Sequence, residues 1–153
     1  MANFRFRAQV ALDLRRKQDD DAQRALGEAK RATAAAQRAV QDAERALVET
    51  QERAREEAAR ASDTTRAIWY RNWIRRQQQV IVAARHALEQ RLDEERVVAA
   101  RAMEARRKLR SLEHLRDRTW KAFQLAERKA EQKEFDVLGG LRYVALREVP
   151  EGA

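Results

Sequence analysis

The chain has 153 residues, a net charge of +8 and 38% charged residues, with four glycines and one proline. Strong helix formers dominate and large apolar residues are few, so this composition favours long helices and excludes a compact globular core. Cysteine is absent, which excludes a disulfide framework and thiolate metal sites. The apolar runs are too short for a transmembrane helix and no signal peptide is expected, so we predict a soluble cytoplasmic protein.

The first helix is predicted over about residues 4–60. A stripe of small side chains follows alternating spacings of four and three, which is typical of a coiled-coil seam. The stripe consists of Ala25, Ala29, Ala32, Ala36, Ala39, Ala43 and Ala46. A second, seven-residue series lies beside it: Leu26, Thr33, Val40, Leu47 and Ala54.

A short polar break at residues 61–65 predicts a turn, because Ser, Asp and Thr favour helix N-caps. Helix two is predicted over about residues 65–138 and carries two seven-residue series. The first is Ile74, Ile81, Leu88, Glu95, Ala102, Leu109, Arg116 and Phe123; the second is Val98, Ala105, Leu112 and Ala126. Two long helices joined by a short turn predict an all-α fold, a two-helix antiparallel coiled-coil hairpin.

Gly139 and Gly140 predict the end of helix two, because glycine adopts the left-handed helix cap without a steric penalty. We therefore expect a single domain over residues 1–140 and a flexible tail over residues 141–153. Folding the chain about residue 64 places Asp19, Asp20 and Asp21 opposite Arg106, Arg107 and Lys108. Opposed charges of this kind fix the register of a hairpin.

The sequence offers no catalytic arrangement, cofactor motif or metal cluster. His86 and His114 stand alone, and there is no glycine-rich phosphate loop. We therefore predict no enzyme activity, no catalytic residues, no cofactor and no metal.

Residues 96–118 are rich in arginine, which raises nucleic acid as a partner. The positive charges are interleaved with acidic residues and no aromatics are interspersed for stacking, so no nucleic-acid binding is predicted. Trp69, Tyr70 and Trp73 have two open interpretations. The rings either close the turn end of the hairpin against Val48 and Thr50, or at least one is exposed as an anchor for a protein partner.

Four segments resemble the FliJ family of the bacterial flagellar type III export apparatus. They are residues 4–15 (FRFRAQVALDLR), 20–29 (DDAQRALGEA), 105–118 (ARRKLRSLEHLRDR) and 131–136 (EQKEFD). The resemblance covers nearly the whole chain. It implies a hairpin similar to the central stalk of rotary ATPases, located in the cytoplasm and peripherally associated with the inner-membrane export apparatus.

The resemblance also implies partners: the hexameric export ATPase, the cytoplasmic domain of the export-gate membrane protein and the export chaperones. It implies an isolated monomer that meets the membrane only through partner proteins. The implied ATPase-binding residues are Phe4, Arg5, Phe6, Val10, Leu14, Leu112, Leu115, Arg118, Gln132, Lys133 and Asp136. The implied gate-binding residues are Tyr70, Trp73, Gln77 and Val80. Alanines on helix one opposite them leave open whether that helix contributes.

Three alternatives stay open at this point. One is the equivalent stalk of a virulence type III secretion system. Another is a generic coiled-coil scaffold or homodimer, in which the seams pair between chains. The last is a nucleic-acid-binding arm.

Overall fold

The computed structural model describes residues 3–60 and 63–147 and contains two long helices. Helix α1 spans Gln9–Arg60 and helix α2 spans Thr64–Arg147. The predicted all-α class and two-helix antiparallel hairpin are confirmed. Ala61 and Ser62 of the predicted turn lie outside the described residues, as do residues 148–153 of the predicted tail.

Asp63 starts helix α2 as its N-cap. Its carboxylate Oδ1 accepts a hydrogen bond from the backbone N–H of Thr65 at 3.0 Å, and its carbonyl accepts one from Ala67 at 3.1 Å. The first amides of a helix have no partner within the helix, and an Asp side chain satisfies one of them. The polar break therefore acts as the sequence predicts.

The chain divides into two compact units, which are described separately. The central unit comprises Lys17–Arg106, and the terminal unit combines the chain up to Arg16 with the chain from Arg107 onward. The single domain over residues 1–140 stays a prediction.

Contacts within the central unit show that α1 and α2 run in opposite directions. Residue numbers on α2 fall as those on α1 rise, from the Asp19–Arg106 ion pair at 3.0 Å to the Glu57–Arg66 ion pair at 2.9 Å. Between them, the Glu44 carboxylate and the Arg85 guanidinium are 2.6 Å apart. The seams of the central unit therefore pair within one chain, as the hairpin prediction requires.

The seam on α1 differs from the predicted alanine stripe. Thr33 and Val40 are buried and Leu26 and Leu47 are half-buried, whereas Ala25 and Ala39 are exposed. The other alanines of the stripe are half-buried, so the contact face centres on the seven-residue series. Burial of the larger side chains removes more apolar surface from water than burial of alanine does. Helix α1 is therefore oriented about its axis so that the larger side chains face α2.

The seam on α2 follows the first predicted series closely. Ile81, Ala102 and Leu109 are buried, and Ile74, Leu88 and Glu95 are half-buried. Arg116, at the next position of the same series, is exposed. The second predicted series is half-buried up to Leu112, whereas Ala126 is exposed.

Three of the eight most buried residues that the structure describes are polar: Asp19, Thr33 and Thr50. The Asp19 carboxylate is 4% exposed and accepts hydrogen bonds from Arg106 Nε at 3.0 Å and Gln23 Nε2 at 3.3 Å. A buried charge is tolerated when such partners compensate it. The opposition of Asp19 and Arg106 that the sequence predicts is therefore a direct contact.

Helix α1 begins at Gln9, later than the predicted Phe4. Burial alternates over residues 3–7, with Phe4 and Phe6 half-buried and their neighbours exposed, which is the two-residue period of extended chain. The backbone N–H of Gln9 then donates to the Phe6 carbonyl at 3.1 Å and turns the chain into the helix. The predicted helix start at Phe4 was wrong. Residues 4–7 (FRFR) alternate apolar and charged side chains, and this alternation fits an extended segment better than a helix.

Helix α2 continues through Gly139 and Gly140 to Arg147, so the predicted end at residue 138 is wrong. None of the glycines in the described chain has a positive φ. A glycine in a helix interior costs about 1 kcal/mol relative to alanine, which weakens a helix without forcing it to stop. Residues 141–147, predicted as tail, are therefore helical.

We expect Arg106→Ala to lower the free energy of unfolding by about 1.5–3 kcal/mol, because it removes a charged hydrogen-bond partner from a buried carboxylate. Urea unfolding followed by circular dichroism measures the change. Arg101→Ala is the matched control, since Arg101 is exposed and its loss should change stability by less than about 0.5 kcal/mol. Equal effects of the two substitutions would contradict a register-setting role for Arg106.

We expect Gly139→Ala and Gly140→Ala each to stabilise the last turns of α2 by about 1 kcal/mol. A Cβ at either position would meet no heavy atom within 4 Å. Amide hydrogen exchange of residues 137–147 should slow in both variants. Faster exchange would show that these glycines adopt a conformation that alanine cannot adopt. That result would support the helix end that the sequence predicts at Gly139 and Gly140.

Candidate protein-binding surfaces

The first surface lies in the terminal unit and is built around Phe4. The Phe4 ring lies 5.0 Å from the Trp120 ring, edge to face, and 5.5 Å from the Phe123 ring, while Trp120 and Phe123 stack at 5.8 Å. Aromatic pairs in such arrangements contribute about 0.5–1.5 kcal/mol beyond the area they bury. The cluster therefore holds the extended N-terminal segment against α2.

A groove of about 430 Å³ opens beside this aromatic cluster. Its lining consists of Phe4, Arg5, Phe6, Arg7, Gln9, Val10 and Arg116. None of its three arginines forms an ion pair with a carboxylate in the part of the chain that the structure describes. The groove thus presents apolar side chains flanked by unneutralised positive charge.

The structure brings together four of the predicted ATPase-binding residues at this groove: Phe4, Arg5, Phe6 and Val10. Val10 is 83% exposed and Leu14, one helical turn later, is 53% exposed. On α2, Leu112 is half-buried and Leu115 and Arg118 are exposed. The apolar side chains of Val10, Leu14 and Leu115 are therefore accessible to a partner. Residues that only stabilise a coiled-coil seam are usually buried.

The remaining predicted ATPase-binding residues, Gln132, Lys133 and Asp136, are not part of the groove. They lie on the last stretch of α2, where every side chain from Arg128 to Arg147 is exposed. Sequence reasoning did not identify Trp120 as part of the cluster. Its position three residues before Phe123, on the same side of a helix, is the signal that could have identified it.

The second surface lies in the central unit, near the start of α2. Trp69 is 58% exposed and Trp73 is 41% exposed, and their rings stack with centroids 6.2 Å apart. Tyr70 is half-buried and contacts Trp69 edge to face at 5.0 Å. Two of the three rings are therefore exposed, whereas their role as an anchor for a protein partner stays a prediction. Thr50 is buried and Val48 is 51% exposed.

The predicted gate-binding residues flank this aromatic group. Val80 is 52% exposed, and Gln77 is half-buried and donates from Nε2 to the Ala46 carbonyl at 3.4 Å. Gln77 Oε1 is buried and has no hydrogen-bond partner among the described residues. Buried polar atoms are nearly always paired, so Gln77 Oε1 is an exception within this part of the seam.

A groove of about 660 Å³ lies between α1 and the start of α2. Tyr70, Ile74 and Ala54 supply apolar lining, and Arg71 and Arg75 line it as well. The side chains of His86 and His114 are exposed. Over residues 3–60 and 63–147, no three His, Asp or Glu side chains are grouped to hold a metal ion.

Neither helix, as far as the structure describes them, holds a stretch that is both long and apolar enough to cross a membrane. The fold and the two surfaces define a class: an antiparallel coiled-coil protein that presents exposed aromatic and apolar residues to partners. The chain matches the family described as Flagellar FliJ protein over residues 5–145. It therefore belongs to the FliJ family, which makes it a structural component of the flagellar export apparatus.

Comparison with the curated proteins finds no match, and comparison with the solved structures finds none either. The family match includes the N-terminal segment from Arg5 onward, all of α1, and α2 up to Ala145. The match is to a flagellar family, which supports the flagellar interpretation over the virulence alternative.

Proposed function

We propose that this protein is a non-enzymatic stalk of the flagellar export apparatus that binds the hexameric export ATPase, promotes its assembly and activity, and links it to the export gate and export chaperones. The observation that carries the proposal is the family match over residues 5–145. The exposed surface around Phe4 supports a docking role for the terminal unit.

The chemistry of the terminal unit suits reversible docking. Val10 and Leu14 present apolar surface, and each apolar side chain that a partner fully buries contributes about 1.5–3 kcal/mol. Arg5, Arg7 and Arg116 line the same groove as Val10 and would meet acidic residues of the ATPase ring. Exposed ion pairs contribute only about 0–1 kcal/mol each, so such contacts can form and break as the ring turns over ATP.

The surface near the start of α2 suits the gate. Trp73 and Val80 are spaced seven residues apart on one side of the helix, and both are exposed. Gln77 lies between them and is half-buried, with its Nε2 donating to the Ala46 carbonyl of α1. Tryptophan is the residue type that most often dominates the free energy of a protein interface.

We expect the protein to increase ATP hydrolysis by the cognate flagellar export ATPase in a saturable manner. The double substitution Val10→Asp and Leu14→Asp should raise the half-saturating concentration at least tenfold, or about 1.4 kcal/mol, because it places charge on the apolar contact. A steady-state phosphate-release assay measures both quantities.

Val97→Asp is the matched control for this assay, since Val97 is 52% exposed and lies in the other unit. It should leave stimulation unchanged. Absence of stimulation by the unaltered protein at saturation would contradict the ATPase proposal, as would equal losses in the Val97 and Val10 variants.

We expect Trp73→Ala and Val80→Asp each to weaken binding to the cytoplasmic domain of the export-gate protein by roughly 30-fold, the effect of losing about 2 kcal/mol at an interface anchor. Isothermal titration calorimetry measures the affinity. Val82→Asp, at a valine that is 67% exposed on a different side of α2, should bind normally. Normal binding by the Trp73 and Val80 variants would assign the gate to another surface.

A further inference from the structure

The first part of α2 has an unusual charge distribution. Residues 64–88 contain Arg66, Arg71, Arg75, Arg76 and Arg85 and no Asp or Glu. Arg66 and Arg85 are paired with Glu57 and Glu44 of α1. No carboxylate partner is recorded in the described chain for the other three arginines, all of which are exposed.

Large apolar side chains lie among these three arginines. Ile68 is 50% exposed and Trp69 is 58% exposed. The seam of α2 in this region consists of Tyr70, Ile74, Gln77 and Ile81, which are buried or half-buried. At 100° per residue, the backbone positions of Ile68, Trp69, Arg75 and Arg76 lie more than about 90° from the centre of that seam. The side chains of Arg71 and Arg75 also line the groove between the helices. We call the residues Ile68, Trp69, Arg71, Asn72, Arg75 and Arg76 the outer face of α2.

We propose that the outer face of α2 binds the surface of an anionic phospholipid bilayer. Tryptophan places its ring at the level of the lipid headgroups, and arginine reaches phosphate while its aliphatic stem stays in apolar surroundings. Unpaired positive charge with no acidic neighbour on the same helix segment is complementary to anionic headgroups. This contact would add to any made through partner proteins, and it does not depend on the proposed ATPase or gate binding.

The distribution of charge favours a bilayer over an acidic protein segment. Arg71, Arg75 and Arg76 are spread over about 140° of the helix circumference, as the 100° rotation per residue dictates. A partner helix contacts one narrower stripe, whereas a helix that sinks into the headgroup layer is surrounded by phosphates over a wide sector. The Trp69 ring stacks on the Trp73 ring at an interplanar angle of 11°. One face of the Trp69 ring therefore already contacts Trp73 and is less accessible to a stacking nucleic-acid base.

The test follows the fluorescence of Trp69 in the intact 153-residue chain. Trp73→Phe and Trp120→Phe leave Trp69 as the one tryptophan, because the sequence has three. Unilamellar vesicles of phosphatidylglycerol and phosphatidylcholine should shift its emission to shorter wavelength and carry the protein into the vesicle pellet. Vesicles of phosphatidylcholine alone should do neither, and raising the salt concentration should release the protein.

The combined substitution Arg71→Gln, Arg75→Gln and Arg76→Gln should lower the vesicle partition coefficient roughly 100-fold, since each basic residue near an anionic surface contributes roughly fivefold. The combined substitution Arg24→Gln, Arg31→Gln and Arg38→Gln removes the same net charge from exposed positions of α1. This control should reduce partitioning by less than about tenfold, and circular dichroism should show both variants folded.

Three results would overturn the proposal. The first is failure of the protein to sediment with anionic vesicles. The second is sedimentation without a shift in Trp69 emission, which would place another surface on the bilayer. The third is an equal loss in the two triple variants, which would attribute binding to the net charge of +8. Binding of duplex DNA or of an acidic peptide through the same arginines, without vesicle binding, would replace the bilayer with that partner.

Discussion

The contact between the buried Asp19 carboxylate and Arg106 constrains the pairing of the two helices in the central unit. Most of the other seam residues are uncharged side chains that repeat every seven residues, so a slip of seven residues would preserve most of their contacts. Such a slip would place Asp19 opposite Ala99, which offers no charge, or Glu113, which carries a like charge. A buried carboxylate facing either residue is strongly unfavourable, and one polar position therefore selects one register from several.

The narrow seam also explains why the two candidate surfaces are available. A single helix-to-helix contact buries one stripe on each helix, and most other side chains remain at the surface. Val10 and Leu14 in the terminal unit and Trp69 and Trp73 in the central unit are exposed for this reason. The two surfaces share no residue, so substitutions can test the proposed ATPase docking separately from the proposed gate and lipid contacts.

The sequence predicted what periodicity and local chemistry determine: two helices, the cap at Asp63 and the opposition of Asp19 to Arg106. It misplaced the α1 seam, because an alanine stripe is equally consistent with two neighbouring helix faces and only the larger residues decide between them. It missed the extended start and Trp120, since a contact between Phe4 and a residue more than a hundred positions away depends on tertiary packing. The glycine pair misled because a local propensity of about 1 kcal/mol does not decide where a long helix ends.

The thin contact between the helices has a consequence for how such a sequence changes over time. Eight of the residues that the structure describes are nearly removed from water, and most of the others face solvent. Exposed positions generally accept substitution with changes of less than about 0.5 kcal/mol. We therefore expect selection to preserve the spacing between seam residues and a few charged or aromatic side chains. Most other positions can change without loss of the fold.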